Sequence, residues 1–496
     1  MAAWFPFFLL LLLLVCIFHH YSKNHKNPKK IRRPPGPPGL PLLGNLHQFD
    51  GAKPHEFLRQ LSNKHGPLMS LKLGKVPVVV ISSGKIAKEA LKTHDLTFSV
   101  RPKLVGNQKL SYDGKDVAFS PFGEYWREMK KIKVVHLLNS KTLQSFRPIL
   151  DDEVSLLIEE ISDLSASNSV VNLSSMAMYL TSTLICRFAF GKKYDKEDHK
   201  KKSFDRMLRE SEFHVGGYFL CDYLPSLRWI DKVLGKFDRL EKNFKELDLF
   251  YEELIEDHLD PNRADAMNDD LLDILIQIKH NQSSAFDLTW DHIKAIITDI
   301  FVGGTDTSSA AIVWAMMALM RAPTVMKRAQ AEIRDFVGKS GKIGDQQVPY
   351  LDAIIKETFR LYPPAAILPR QTMESCRIHG YDIEANTMVF INEWAISRDP
   401  ESWINSEDFV PERFLNSNID IRGNDFEVIP FGSGRRGCPG SSLGLLIVKV
   451  TLFNLLYSFD WELPHGMRIE DIDSDTLPGL IMHKKNPLCL VPKRYA

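Results

Sequence analysis

Residues 431–440, FGSGRRGCPG, concentrate chemistry in ten positions. Gly432, Gly434 and Gly437 spell G-x-G-x-x-G, the spacing with which a backbone cradles a pyrophosphate. Cys438 follows at once, and the apolar run beyond it reads as the opening of a helix. The phosphate function needs a strand before the loop, a parallel strand after it, and an acid about twenty residues on. FEVIP could supply the first strand, but Pro430 abuts the loop, no βαβ unit follows Leu456, and Asp460 is badly placed as the acid. The sulfur accounts for more of the residues. Gly434, Gly437 and Gly440 permit a tight loop whose N–H groups approach Cys438, and Pro439 suits the first turn of the following helix. The positive end of that helix, with Arg435 and Arg436 nearby, favours thiolate over thiol. Such a thiolate is a nucleophile or a metal ligand. A nucleophile needs a base, and no histidine lies within this segment.

A second group sits in FVGGTDTSS, residues 301–309. Gly303 and Gly304 fall inside a helical pattern, where each costs roughly 1 kcal/mol relative to alanine. Either a neighbouring helix packs closely there, or the missing side chains leave room for a ligand. Asp306 and Thr307 beside them can pass protons. Glu357 and Arg360, at i and i+3, would be worth only about 0.2–0.5 kcal/mol as an exposed pair.

The elements that must hold these residues are mostly helical. Trp290 to Ala322 contains no proline, starts after a Thr289 cap and stops before Pro323. As one helix it is about 50 Å long, enough to cross a large domain. Leu351 to Tyr362 reads as a second helix, ended by Pro363 and Pro364, and helical periodicity also covers Glu124–Leu138, Asp151–Ser165 and Phe237–His258. Leu68–Leu73, a Gly74-Lys75 turn and Val76–Ser82 read as a hairpin. The fold class is therefore mainly α with small peripheral β-sheets, in one large domain.

Sixty-three basic against sixty-two acidic residues leave a charge of +1, so bulk electrostatics does not favour nucleic acid. The six cysteines lack C-x-x-C spacing, which argues against a zinc site or a disulfide framework and for a reducing compartment. The first fifty residues stand apart. Residues 2–18 are uncharged and apolar, and as a helix span roughly 26 Å, close to the hydrocarbon core of an endoplasmic-reticulum bilayer. Six basic residues follow between Lys23 and Arg33. A cleaved signal would carry its charge before the apolar run and a small-residue site after it. The expectation is a transmembrane anchor at 2–22 with the rest cytosolic, then a basic, proline-rich hinge at 23–45 that stiffens the connection. His19, His20 and His25 read as a polar flank of the anchor.

Phe431, Gly434, Arg436, Cys438 and Gly440 together resemble the F-x-x-G-x-R-x-C-x-G signature of the cytochrome P-450 superfamily. The resemblance runs along the whole chain in order: the anchor, the proline-rich hinge, GGTDTS at 303–308, KETFRLYPP at 356–364 and PERF at 411–414. The wording is similar to that of the plant microsomal branch serving specialised metabolism. It implies haem b with Cys438 as the axial thiolate of the iron, in a catalytic domain over 46–496. It implies Phe431 packed beside the sulfur, and Arg436, Trp126, Lys130 and Arg370 as contacts of the haem propionates. Lys130 departs from the commoner arginine and loses the bidentate fork, and Gly303 departs from the commoner alanine. Asp306 and Thr307 become the oxygen-activating proton relay. Glu357, Arg360 and Arg413 become a buried network, structural in role.

No segment offers a flavin or nicotinamide site, so the resemblance also implies electrons from a membrane-bound NADPH–cytochrome reductase. Arg127, Lys131, Lys133 and Arg435 could form its docking face. The implied activity is monooxygenation of a small lipophilic plant metabolite with O2, at the endoplasmic-reticulum membrane, leaning to phenylpropanoid or coumarin-type aromatics. Terpenoid or aldoxime oxidation are alternatives. So is a peroxide-rearranging haem-thiolate isomerase or dehydratase that needs no reductase, against which Asp306–Thr307 argues. A non-catalytic haem carrier or sensor would not need that pair either. The implied pocket walls are 105–119, 213–229, 300–307, 365–368 and 480–481.

Overall fold

The computed structural model describes residues 32–194, 198–263, 270–282, 284–340 and 348–495. The expected anchor at 2–22 and the basic start of the hinge lie outside them. Among the described residues the helices include α1 (Glu124–Lys131), α2 (Ser140–Ala166), α3 (Leu173–Phe190), α4 (His199–Val215), α5 (Lys236–Leu259), α6 (Trp290–Arg321), α7 (Pro323–Ser340), α8 (Pro349–Leu361) and α9 (Ser441–Ser458). The strands are β1 (Leu68–Leu73), β2 (Val76–Ile81), β3 (Val171–Asn172), β4 (Ile367–Gln371), β5 (Cys376–Ile378), β6 (Tyr381–Ile383), β7 (Met388–Asn392), β8 (Phe459–Glu462) and β9 (Cys489–Arg494).

α6 forms as its sequence dictates. Thr289 N–H donates to His292 Nδ1 at 2.9 Å, closing the first turn. Ala322, before Pro323, leaves helical geometry at φ −124°, ψ 71°. Almost the whole circumference between Ile293 and Met320 is buried, because α3, α8 and α9 pack around it. α3 and α9 are themselves long and apolar enough to cross a membrane, yet most of each is buried within the body. Helices apolar all round are what a large core requires.

One sheet has the order β1-β2-β7-β4, with β2 and β7 parallel and the other pairs antiparallel. Val79 and Ile81 pack on one face with Leu368 and Ile391, and Val78 and Val80 on the other with Leu58 and Met69. Burial on both faces explains the unbroken apolar run of β2. The described part of the hinge does not hang free. Pro35 O accepts from Ser70 N–H and Pro34 O from Ser70 Oγ, both at 2.7 Å. A Cβ on Gly36 would fall 1.9 Å from Ser70 O, so the proline segment lies against β1 through a glycine.

Two local expectations are corrected. α9 begins at Ser441 with Gly440 as its cap, so Pro439 stands in the preceding turn. The periodicity over Glu124–Leu138 is not one α-helix: after Lys131 it widens into a π-helical turn over Ile132–Leu137.

Candidate functional site

The loop before α9 wraps the Cys438 sulfur. Cys438 N–H donates to Phe431 O at 2.8 Å, and the N–H groups of Gly440 and Ser441 point at the sulfur. Gly434 sits at φ +68°, and a Cβ there would lie 2.5 Å from Asp95 Oδ1 and 2.7 Å from Leu91 O. Only glycine meets both demands. The Phe431 ring packs on Phe359 at 5.1 Å. Protein surrounds the sulfur, and its accessible surface is surface presented to a cavity of about 320 Å³. Burial pushes the thiol up, outweighing the Gly440 and Ser441 N–H groups and the charges of Lys133 and Lys130. The net direction is opposite to the one expected from the helix end, and the lysines replace Arg435 and Arg436 as the helpful cations. A thiol raised by burial is a poor free nucleophile and becomes a thiolate when a metal takes its proton's place. Among the described residues no histidine lines the cavity.

Gly303, Gly304 and Thr307 of α6 line the same cavity. The two glycines separate into the two roles the sequence left open. A Cβ on Gly303 would meet nothing within 4 Å, while one on Gly304 would lie 2.8 Å from Ile185 Cδ1 of α3. Thr307 Oγ1 donates to Gly303 O at 2.7 Å. Asp306, one residue earlier on the helix, does not line the cavity. Its carboxylate is buried and faces His483, whose Nε2 is 3.6 Å from Oδ2.

One end of the cavity is strongly cationic. Arg101, Lys130, Arg370 and Arg436 all line it, and none pairs with a carboxylate among the described residues. Burial and the mutual repulsion of the guanidiniums hold Arg370 well below the usual arginine range and bring Arg436 down to about 9. Burial brings Arg101 down to about 10, and burial with the charge of Arg436 lowers Lys130. Arg436 donates to the carbonyls of Ser99, Val117 and Ser120 at 2.6, 3.0 and 2.5 Å. Trp126 Nε1 donates to Val117 O at 3.0 Å and Lys130 Nζ to Arg435 O at 2.5 Å. Arg101 Nε and Arg370 Nε are buried without an acceptor. Four cations, two of them with an orphaned donor, together with a sulfur and an open glycine in the same cavity fit a haem, whose carboxylates the cations would hold and whose iron the sulfur would hold.

The sequence did not single out Arg101. Its only signal was a charge inside the apolar stretch TFSVRP. The docking set divides. Lys133 is buried and paired with Asp299 at 3.0 Å, so it is no surface cation. Lys131 pairs with Glu128 at 3.3 Å, Arg435 with Asp95, and Arg127 lies over the Phe122 ring. Glu357 and Arg360 are fully buried, with paired bonds of 2.7 and 2.8 Å, and Arg413 Nε reaches Glu357 Oε1 at 3.3 Å. Arg360 also donates to the carbonyls of Ser397, Ser406 and Asp408. The network ties α8 to the segment before PERF and does not line the cavity.

A second cavity of about 470 Å³ lies beside the first, lined by Phe119, Val215, Ala366, Leu480 and Met482 among others. Four of these five fall in the expected substrate walls at 105–119, 213–229, 365–368 and 480–481, and Met482 follows the last of them.

The chain matches the cytochrome P450 family over residues 34–491. It is 46% identical to 6,7,8-trihydroxycoumarin synthase of Pastinaca sativa, covering 99% of each chain. It is also 46% identical to 5-OH-xanthotoxin synthase of Ammi majus, over 97% of this chain and 95% of that one. The fold is shared with a zebra fish cytochrome P450 solved with progesterone, at TM-score 0.74 and 25% identity, over 89% of this chain and 99% of that one. The cysteine-bearing loop, the cationic cavity and these likenesses agree: the chain belongs to the cytochrome P450 family and is a haem-thiolate monooxygenase.

Proposed function

We propose that the chain hydroxylates a coumarin-type or related aromatic plant metabolite, with Cys438 as the iron's thiolate and with O2 and reductase-delivered electrons as co-reactants. The observation that carries the assignment of the site is the shared cavity: Cys438, the four unpaired cations and the open face of Gly303 all line it. The relatives' names support the substrate class, since they include coumarin synthases. The apolar neighbouring cavity, with Phe119 and Leu480 in its wall, supports a flat lipophile.

Haem held there supplies oxygen activation, by which one atom of O2 enters the substrate and the other leaves as water. The rest falls to the chain. Cys438 Sγ binds the iron, and Arg101, Arg370, Arg436 and Lys130 bind the carboxylates. Gly303 would leave room in the cavity for oxygen and substrate, and Phe431 would shield the sulfur. Thr307 Oγ1 turns from Gly303 O to hand its proton to the cavity, and Asp306 reloads it. Electrons would come from an NADPH-dependent reductase docked near Arg127, Lys131 and Arg435. The apolar run at 2–18 and the basic residues after it support a single-pass anchor at 2–22 and a hinge at 23–45. They support a location at the endoplasmic-reticulum membrane, with the body from 46 onward in the cytosol.

The test is Cys438→Ser beside wild type, each reconstituted with reductase, NADPH and hydroxycoumarins. Wild type is expected to add one oxygen to a substrate and to give the thiolate-type spectrum of the reduced carbon monoxide complex. The variant is expected to lose both. A variant retaining that spectrum would show that another residue ligates the iron.

A further inference from the structure

Asp306 is built into a contact that the relay does not explain. Its carboxylate turns away from the cavity that Thr307 lines, toward His483 and Glu212. These three residues come from α6, the segment after residue 480, and α4. Their ligand atoms lie within 4.8 Å of one another. His483 is the only ion-pair partner of Asp306 among the described residues, and its side chain keeps 23% of its surface exposed against 5% for Asp306.

The segment bearing His483 is pinned to α6 and to the turn after α8. Trp314 Nε1 donates to Met482 O at 2.6 Å, and Met482 N–H donates to Pro364 O at 2.8 Å. Trp314 is two turns beyond Asp306 on the same helix, so the imidazole is held at a fixed height beside the carboxylate. The neighbouring Lys484 is spoken for by Asp473 at 2.9 Å. Among the described residues, His483 and Glu212 are the titratable groups set against Asp306.

We propose that His483 reloads Asp306 with protons from solvent. The step rests on the Asp306–Thr307 relay proposed above. The imidazolium gives its Nε2 proton to Asp306 Oδ2, the N–H bond breaking as the O–H bond forms, and water returns a proton to the imidazole. A small rotation of either side chain closes the 3.6 Å separation to hydrogen-bond distance. Histidine suits the task because its ring nitrogens can both take up and give up a proton. When the proton does not reach Asp306, electrons drain to hydrogen peroxide.

The experiment measures hydrogen peroxide released per NADPH consumed. The full chain is used with reductase and coumarin as the lipophilic occupant, so the ratio is defined whether or not coumarin is hydroxylated. Wild type, His483→Gln, His483→Arg, Asp306→Asn and Thr307→Ala are compared, each first shown to keep the carbon monoxide spectrum. The expected results are a low wild-type ratio and a high ratio for His483→Gln. Productive flux in that variant should fall about tenfold, less than the roughly 10²-fold expected for the direct donor. His483→Arg keeps the charge but cannot give up its proton near neutrality, so it should behave like His483→Gln. Wild-type behaviour of His483→Arg would reduce the role to charge alone and overturn the transfer. A His483→Gln ratio equal to wild type, with Asp306→Asn and Thr307→Ala both raised, would overturn His483 and leave the relay standing. No change in any of the four variants would remove the relay itself.

Discussion

Ile185 Cδ1 of α3 lies 2.8 Å from the point where a Cβ on Gly304 would stand, although Gly303 beside it faces open space. Two adjacent glycines in one helix thus serve opposite purposes. Gly304 lets α3 approach α6, and Gly303 keeps the cavity clear over the sulfur.

Gly304→Ala should therefore destabilise the protein and Gly303→Ala should not. Alanine gains roughly 1 kcal/mol of helix propensity at either site. At 304 the overpacking penalty of about 1–3 kcal/mol outweighs it, because Ile185 is fully buried. Ile185→Val removes the offending methyl and should restore most of the loss in the double variant. Thermal unfolding of the four proteins checks this, and equal midpoints for the two alanine variants would refute it. Gly303→Ala should instead weaken substrate binding by narrowing the cavity.

Arg370→Met should separate cofactor retention from chain stability. The guanidinium is buried among Arg101 and Arg436, so removing it relieves repulsion in the cofactor-free protein. It also removes a charge-assisted contact worth about 1.5–3 kcal/mol to a bound carboxylate. Haem transfer to an acceptor globin should accelerate about tenfold or more, with no drop in the unfolding midpoint of the haem-free chain. A fall in that midpoint with unchanged haem transfer would mark Arg370 as a packing residue.

The sulfur loop was legible because its logic is local: glycine spacing, a cysteine and an apolar run lie within a few turns of one another. α6 was legible for the same reason, since a proline-free run with a cap and a terminating proline needs no tertiary information. Lys133 misled. Its type and neighbours in KKIKVV read as a surface charge, but its partner Asp299 is 166 residues away, and a π-helical turn follows Lys131. Arg101 and His483 were missed for the matching reason, that each acquires its meaning from a segment distant in sequence. Asp306 and Thr307 were named together, yet one helical step of about 100° separates their directions, and sequence cannot say which of the two faces the cavity.

Arg360→Ala should destabilise the packing of α8 against the segment before PERF, because among the described residues it leaves the buried Glu357 carboxylate with only Arg413 Nε and Val410 N–H to satisfy it. Losing one partner of a buried pair costs about 3–5 kcal/mol. The Arg360→Ala, Glu357→Ala and double variants form a cycle, and the double should cost less than the sum of the singles. Additive losses in denaturant midpoint would mean that the two side chains do not act as a pair.

Glu393 sets a pH dependence of stability whose sign is fixed by burial. The side chain is fully buried, with Oε1 accepting from Ser397 Oγ at 2.6 Å and from Ile429 N–H at 2.8 Å, while Oε2 has no partner. Burial pushes the carboxyl up to about 8, against the two hydrogen bonds and the charge of Arg398. An unfolded glutamate titrates near 4.3. Below that pH both states hold the proton and the group adds no slope. Between there and about 8 the folded state keeps the proton that the unfolded state has lost, so stability falls as pH rises, and above about 8 the full penalty remains. Glu393→Gln removes the titration and puts a neutral amide in the same place. Its two amide hydrogens face the spot where Oε2 lacked a partner, so the variant should be no more stable than wild type near pH 5. Near pH 8.5 wild type carries a buried charge and the variant does not, so the order should reverse. The check is the denaturant midpoint of the full chain against pH for both proteins, where groups common to the two cancel in the difference. Curves that run parallel from pH 5 to 8.5 would mean that Glu393 is ionised throughout. In that case Ser397 and Ile429 would have to stabilise its charge far better than their two hydrogen bonds indicate.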